Sequence, residues 1–377
     1  MALSSSSWSD CLPELLNVVF HNLNEAGDIL SCATVCSSWR DSSLAVYSRK
    51  FIPSLFASNL SDEEARISHQ FRVLSPGNLD FSGNQQTWVC GSTQGFLLTV
   101  NAYFPFEIHL INPFTHTVAS LPPLISFEDV QRLLQSQAIF PDTETLKNFV
   151  KKAVSSTSLL DPDWVVLVIY NTDRKLAFCR RGDTQWTDLE SDHVASSVDD
   201  IVFCNGFFFA IDRTGEVYHC ELSSNDPNPK VTPLCRTSPF RYDPCKKYFA
   251  ESDYDVLWVV LMKLELNDDC DFTTYFEIYE FSSKTNEWIK VRSLRGKALF
   301  LSPQGRCIAV FAGENGSRGF VKDNSVYFID GNDSSTGLGS QNLSVFEWES
   351  KEVRKMYQPR SWNCQMFWLT PTDVLQR

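Results

Sequence analysis

The sequence predicts a two-part chain: three short helices at the N-terminus, then an all-β, propeller-like array of about six blades carrying a two-helix insertion. Three observations carry that prediction. Apolar residues recur on a 3.6-residue period across residues 8–47, and from residue 71 onward they alternate with period two between tight turns. Strand–turn–strand units, each ending in an aromatic-led strand, then recur roughly every 40–65 residues, the range of propeller blades with insertions.

The helical part begins at Asp10-Cys11-Leu12-Pro13. Pro13 suits the first helical position, since its fixed φ fits the helix and its missing N–H would have had no intrahelical partner. Leu15, Leu16, Val19, Phe20 and Leu23 form the apolar stripe, with Glu14, Asn17 and Asn22 off it. Gly27 ends the pattern, and the Asp28 carboxylate caps a second helix whose apolar face is Ile29, Leu30, Ala33 and Cys36. The run Val35-Cys36-Ser37-Ser38-Trp39-Arg40 opens a third helix bearing Trp39, Leu44 and Tyr47. About 40 residues with this much leucine fall below the size at which a lone core is usually stable, so the surplus apolar face requires another protein.

These residues resemble an F-box: Leu12-Pro13 followed by Leu15-Leu16, Asp28 opening the second helix, and Val35-Cys36 with Trp39-Arg40. The resemblance implies docking to a Skp-type adaptor and, through it, to the cullin of a RING ubiquitin ligase. Carried over by position, it makes Leu12, Pro13, Leu15, Leu16, Val19, Phe20, Leu23, Ile29, Val35, Cys36 and Trp39 the expected adaptor-binding residues, with Val35, Cys36 and Trp39 also holding the helices together.

Residues 48–70 read as a linker. Arg49 to Asn59 is apolar enough to pack on the helices as a further short helix or turn interrupted by Pro53, and Ser61-Asp62-Glu63-Glu64 looks like a helix N-terminus. The β array is expected over residues 71–371. Its strands fall into sets: 95–100 with 108–116; 164–170, 176–180 and 186–189; 201–204, 207–211 and 217–222; 256–262, 275–281 and 287–291; and 307–312, 325–330 and 344–348. Asn205-Gly206 and Thr214-Gly215 are hairpin turns that admit positive φ. Segments 71–74 and 362–369 are left to share a closing blade, which removes the sheet edges a linear array would expose. Phe127, Val130, Leu133 and Leu134, then Leu146, Phe149, Val150 and Val154, have helical spacing and predict the two-helix insertion at 126–158.

Gly91-Ser92 with Gly95-Phe96-Leu97, Leu110-Ile111-Asn112-Pro113-Phe114-Thr115 with Leu121-Pro122, Tyr248-Phe249-Ala250-Glu251-Ser252, and Trp368 near Pro371 are similar to the plant family in which an F-box precedes the domain of unknown function 295. That resemblance implies a kelch-like propeller acting as the substrate receptor of the ligase, with its target protein unspecified.

Composition narrows the alternatives. A formal charge of −13 with scattered Lys and Arg gives no basic stripe for phosphates, so no nucleic-acid partner is expected. No window approaches 18 uninterrupted apolar residues and Met1 to Trp8 lacks a positive n-region and an h-region, which predicts neither membrane span nor signal peptide. Twelve cysteines without a C-x-x-C pair predict reduced thiols in the cytoplasm or nucleus, and neither zinc nor a disulfide framework. The six histidines contain no H-E-x-x-H, and G-x-S-x-G, P-loop and G-x-G-x-x-G motifs are absent. Gly313 to Gly319 sits between strands, without the helix a phosphate cradle needs; Asn267 to Asp271 lacks the spacing of a calcium loop; His109 and His219 fall on strands. No catalytic residue and no cofactor is therefore expected. Two other readings stay open at this stage: a stand-alone scaffold in which the helices cap the propeller, and a propeller enzyme with a non-standard site.

Overall fold

A computed structural model of the chain describes residues 8, 11–23, 29, 32, 34–50, 53–57, 73–74, 87–113, 116–135, 143–156, 162–189, 197–222, 229–235, 238–252, 256–266, 272–311, 321–331, 341–358 and 365–369. The helices α1 (Pro13–Asn22) and α2 (Ser37–Lys50) pack together, and Ile29 and Cys32 between them are helical. Gly27, Asp28, Leu30 and Ala33, on which the second helix was expected to rest, lie outside the described residues.

The strands fall into six groups. β1 (Ser54–Ala57) and β2 (Val73–Leu74) belong to the closing group. Three groups are four-stranded antiparallel sheets: β3 to β6 (Thr87–Thr93, Phe96–Asn101, Ile108–Ile111, Val118–Leu121), β7 to β10 (Val150–Ser155, Val165–Tyr170, Lys175–Arg180, Thr187–Asp188) and β11 to β14 (Val198–Cys204, Phe207–Asp212, Val217–Glu221, Lys230–Pro233). A fourth, β15 to β18 (Lys246–Ser252, Val256–Leu266, Phe272–Ser282, Glu287–Lys290), meets the fifth, β19 to β23 (Lys297–Leu301, Ile308–Phe311, Ser325–Gly331, Gln341–Glu347, Val353–Tyr357), at the Glu251 and Ile308 pairing. β24 (Met366–Leu369) returns to β1 with Ser54 opposite Leu369 and Leu55 opposite Trp368, so N- and C-terminal strands share one blade. The inner strands neighbour one another from β3 through β7, β11 and β15 to the fifth group, then β24 and back to β3.

Six apolar clusters fill the six gaps between neighbouring blades. The tryptophans Trp164, Trp186, Trp258, Trp288 and Trp348 are all buried in them, so none lines an open face. Strand β8 is Val-Val-Leu-Val-Ile-Tyr and buried throughout, because both of its faces are covered by adjacent blades. Asn205 and Gly206 both take positive φ, 51° and 82°, which is the hairpin geometry their side chains allow.

The axis is stitched by side chains that bridge successive blades. Ser155 N–H donates to Thr93 Oγ1 at 3.1 Å and Gln94 Nε2 donates to Ser155 O at 2.8 Å. Lys152 Nζ lies 2.5 Å from Asp200 Oδ1, with both side chains buried, and Phe249 N–H donates to Asp200 Oδ2 at 2.7 Å. Arg306 pairs with Glu251; Ser92 N–H donates to Gln304 O at 3.1 Å and Ser92 Oγ donates to Trp368 O at 2.8 Å. Gly91 makes the approach of Ser92 N–H to Gln304 O possible, since a Cβ there would lie 2.3 Å from Gln304 O. Gly91→Ala is therefore expected to cost more than about 1 kcal/mol, seen as a melting temperature lowered by at least about 2–4 °C in thermal unfolding.

Four expectations are corrected. Val150 and Val154 lie on β7, not on a second helix: α3 (Glu128–Gln135) is followed by α4 (Thr143–Lys147), and the chain then runs straight into the blade. Valines four apart fit either period, and burial of Val150 and Ala153 to Ser155 between two blades decides for the strand. Second, the linker ends early, for β1 is the middle strand of the closing blade and Pro53 stands just before it, while 58–70 lie outside the described residues. Third, Tyr248 to Ser252, which none of the expected strands includes, belongs to β15, and β19 was also missed. Lys246-Lys247 and Lys297 stand at the starts of these two strands. The Lys247 ammonium is buried and donates to the carbonyls of Arg213 and Asp243, each at 2.9 Å, and Cys245 at 3.2 Å. Fourth, β3, β6, β14 and the outer strand β23 had no place in the expected sets, and β19 lies between β20 and β21.

On the fourth blade, Lys263 Nζ lies 2.7 Å from Glu277 Oε2 and 2.6 Å from Asp243 Oδ2, and Lys290 pairs with Glu277 as well. Burial alone would raise the Glu277 carboxyl, but the two lysines outweigh it and hold it below the usual glutamate range. A depressed folded value means stability that is present above the ordinary glutamate pKa and lost as pH falls through the depressed one. Glu277→Gln is expected to cost about 1 kcal/mol near neutrality. In melts taken from neutral to strongly acidic pH, its gap from the parent chain should close in acid.

Candidate protein-binding interface

The N-terminal helices present two adjoining apolar faces. Leu12 is extended, with φ −62° and ψ 139°, and its carbonyl accepts from Leu15 N–H at 3.0 Å and Leu16 N–H at 3.1 Å, so α1 starts at Pro13 as its sequence requires. One face closes inward. Leu16, Phe20, Ile29 and Val46 are buried together, and Cys11, Leu23, Cys32 and Trp39 pack around them. The Trp39 ring meets Phe20 edge-on at 5.4 Å and its Nε1 donates to Trp8 O at 2.9 Å. The other face is open among the described residues: Leu12 is 62% exposed, Leu15 56%, Val18 61% and Val19 41%, and Val35, ahead of α2, is 57% exposed.

This geometry divides the expected adaptor-binding residues. Leu12, Pro13, Leu15, Val19 and Val35 stand on the surface. Leu16, Phe20 and Ile29 are fully buried, so they hold the helices and cannot touch a partner in this arrangement. Leu23, Cys36 and Trp39 are half-buried, and Trp39 is committed to packing within the unit. Val35 departs from its expected packing role by being exposed. Val18 was missed. Merging all apolar positions into one stripe hid it, although Leu15, Val18 and Val19 at i, i+3 and i+4 form a row of their own.

On the propeller, the described side chains crowd the axis. Its cavity measures about 10 Å³, the room of one water, between Gln94, Lys152, Phe249, Arg306 and their neighbours. Burial pushes the Asp200 carboxyl upward, and Lys152 with the backbone N–H groups of Phe249 and Ile201 pulls against that. His219 packs against Phe207 at 4.6 Å and Phe209 at 5.5 Å, both on the neighbouring strand β12. His109 sits half-buried on β5, its carbonyl accepting from Thr99 Oγ1 at 3.2 Å. Asn267 to Asp271 and Gly313 to Gly319 lie outside the described residues. Large apolar groups are exposed at Tyr103 and Phe104, on the β4–β5 loop within the first blade, and at Tyr242, on the loop between the third and fourth blades.

Residues 64–347 match the family described as the KIB1-4 beta-propeller. The whole chain is 77% identical over 379 residues to an F-box protein of Arabidopsis thaliana, At5g55150, covering 100% of each. It is also 25% identical over 338 residues to F-box protein At2g26160, covering 87% of this chain and 97% of the relative. F-box protein SKIP23, from the same plant, is 24% identical over 407 residues, covering 97% of this chain and 94% of the relative.

Proposed function

The chain belongs to the plant F-box proteins that carry a KIB1-4 beta-propeller, and from that premise we propose that it is the substrate-recognition subunit of a Skp–cullin–F-box ubiquitin ligase. The exposed Leu12, Leu15, Val18, Val19 and Val35 carry this reading: a helical unit too small to waste apolar surface leaves five such residues uncovered among the described residues. They dock the Skp-type adaptor, and the propeller, kelch-like in the manner of the domain of unknown function 295, presents a target protein. The chain works as an adaptor without bond chemistry of its own. Holding a target lysine beside a charged ubiquitin-conjugating enzyme raises its effective concentration, which needs a rigid platform; six blades locked at the axis supply one. Cytoplasm or nucleus is the place proposed for it, in keeping with ten described cysteines that are all free thiols.

The target half is tested by expressing the tagged full chain in plant cells with the proteasome inhibited. Proteins captured with the chain should carry ubiquitin, and a chain with Leu15→Asp and Val18→Asp should capture the same proteins without it. Captured proteins equally ubiquitinated with both chains would contradict the proposal.

A further inference from the structure

In a chain of net charge −13, a surface where cations outnumber anions calls for a reason. One lies at the rim of the fourth blade, where β18 is the terminal strand of its sheet. Beside it runs an open groove of about 300 Å³ lined by Glu280, Ile289, Lys290, Arg292, Ser293 and Arg295. The Glu280 carboxylate accepts from Trp258 Nε1 at 3.0 Å, and Lys290 is held by Glu277. Arg292 and Arg295 are different. Their backbones are fixed, for Arg292 O accepts from Trp348 Nε1 at 3.1 Å and Arg295 N–H donates to Ser293 Oγ at 3.1 Å. Their side chains are exposed and pair with no carboxylate among the described residues. Between Lys290 and the buried Trp288, Ile289 turns outward and is 53% exposed. Lys351 adds a further cation: its ammonium lies 4.2 Å over the Trp348 ring, and burial, then the like charge of Lys290, push it below the usual lysine range.

We propose that this groove receives an extended acidic segment of a protein partner. Resting on the ligase reading above, that segment is the part of the target which the propeller recognises. Two guanidinium forks on fixed backbone match carboxylates, the outward Ile289 supplies an apolar contact between charges, and the open edge of β18 leaves length for a chain to lie along it. The groove has the size of a site for a few side chains.

The test uses the full chain co-expressed with a Skp-type adaptor and fluorescein-labelled short peptides alternating Glu and Val or Lys and Val, read by anisotropy. The Glu peptide should bind at low salt, weaken as salt is added, and bind about tenfold less well to Arg292→Glu with Arg295→Glu, equivalent to about 1.4 kcal/mol. Arg292→Gln with Arg295→Gln, a gentler change at exposed positions, should weaken it in the same direction, and Ile289→Asp likewise. Equal binding of Glu and Lys peptides, or undiminished Glu-peptide binding by both Arg variants, would overturn the groove. Adaptor recovery from the same preparations reports separately on the ligase reading: retained adaptor with lost peptide selectivity sinks the groove alone, and lost adaptor in the unaltered chain sinks the ligase.

Discussion

A chain bearing Leu15→Asp and Val18→Asp should lose the Skp-type adaptor while melting at the temperature of the unaltered protein. Both side chains are more than half exposed, so placing carboxylates there costs the fold within about 0.5 kcal/mol each. At an apolar interface the same carboxylates must be desolvated without a partner, and two central anchors are removed. A loss of about 2–4 kcal/mol per anchor means binding weaker by at least about a hundredfold. Phe20→Ala makes the contrast. Phe20 is fully buried against Trp39, and emptying that position costs about 3–5 kcal/mol, more than a core of so few residues tolerates. That variant should also lose the adaptor, but with loss of helical circular dichroism. Binding by surface plasmon resonance and helicity by circular dichroism, measured on the same samples, separate the two kinds of residue.

The second large effect is expected at the axis. Asp200→Ala removes the partner of Lys152, whose ammonium is then buried without a counter-charge, and strands the backbone N–H groups of Ile201 and Phe249, which donate to the same carboxylate. Breaking a buried pair from one side costs about 3–5 kcal/mol. For the propeller that is a fall in melting temperature on the order of 10 °C. Lys152→Met with Asp200→Asn deletes both charges and keeps an acceptor for a backbone donor, so it should recover more than half of the loss in a thermal scan. If the double variant melts no higher than Asp200→Ala, the pair is not what joins the second and third blades.

Much of the architecture was legible because its signals are local. Pro13 after an extended Leu12 and Asn205-Gly206 between apolar strands each act within a few residues, and the structure has them as read. What escaped depends on contacts between distant segments. Lys247 reads as solvent-facing until Arg213 and Asp243 bring it carbonyls, and Ser54 to Ala57 reads as linker until Met366 to Leu369 returns to pair with it. The same holds at the interface. Composition and spacing found the apolar residues of α1 but not their division, because Leu16 and Phe20 are turned inward by Ile29, Val46 and Trp39, which come from other helical segments, and that leaves Leu15 and Val18 outside. Leu12, Leu15, Val19 and Val35 were thus expected at a partner surface and lie exposed, and Val18, which was not expected there, is exposed with them.

The most direct measurement is immunoprecipitation of the tagged full chain from plant cells, with the Skp-type adaptor and the cullin probed by immunoblot beside the Leu15→Asp, Val18→Asp chain. Both partners recovered with the unaltered chain and absent from the variant is the result expected of a ligase subunit docked through the exposed row. Neither partner recovered with the unaltered chain, or both recovered equally with the variant, would contradict it.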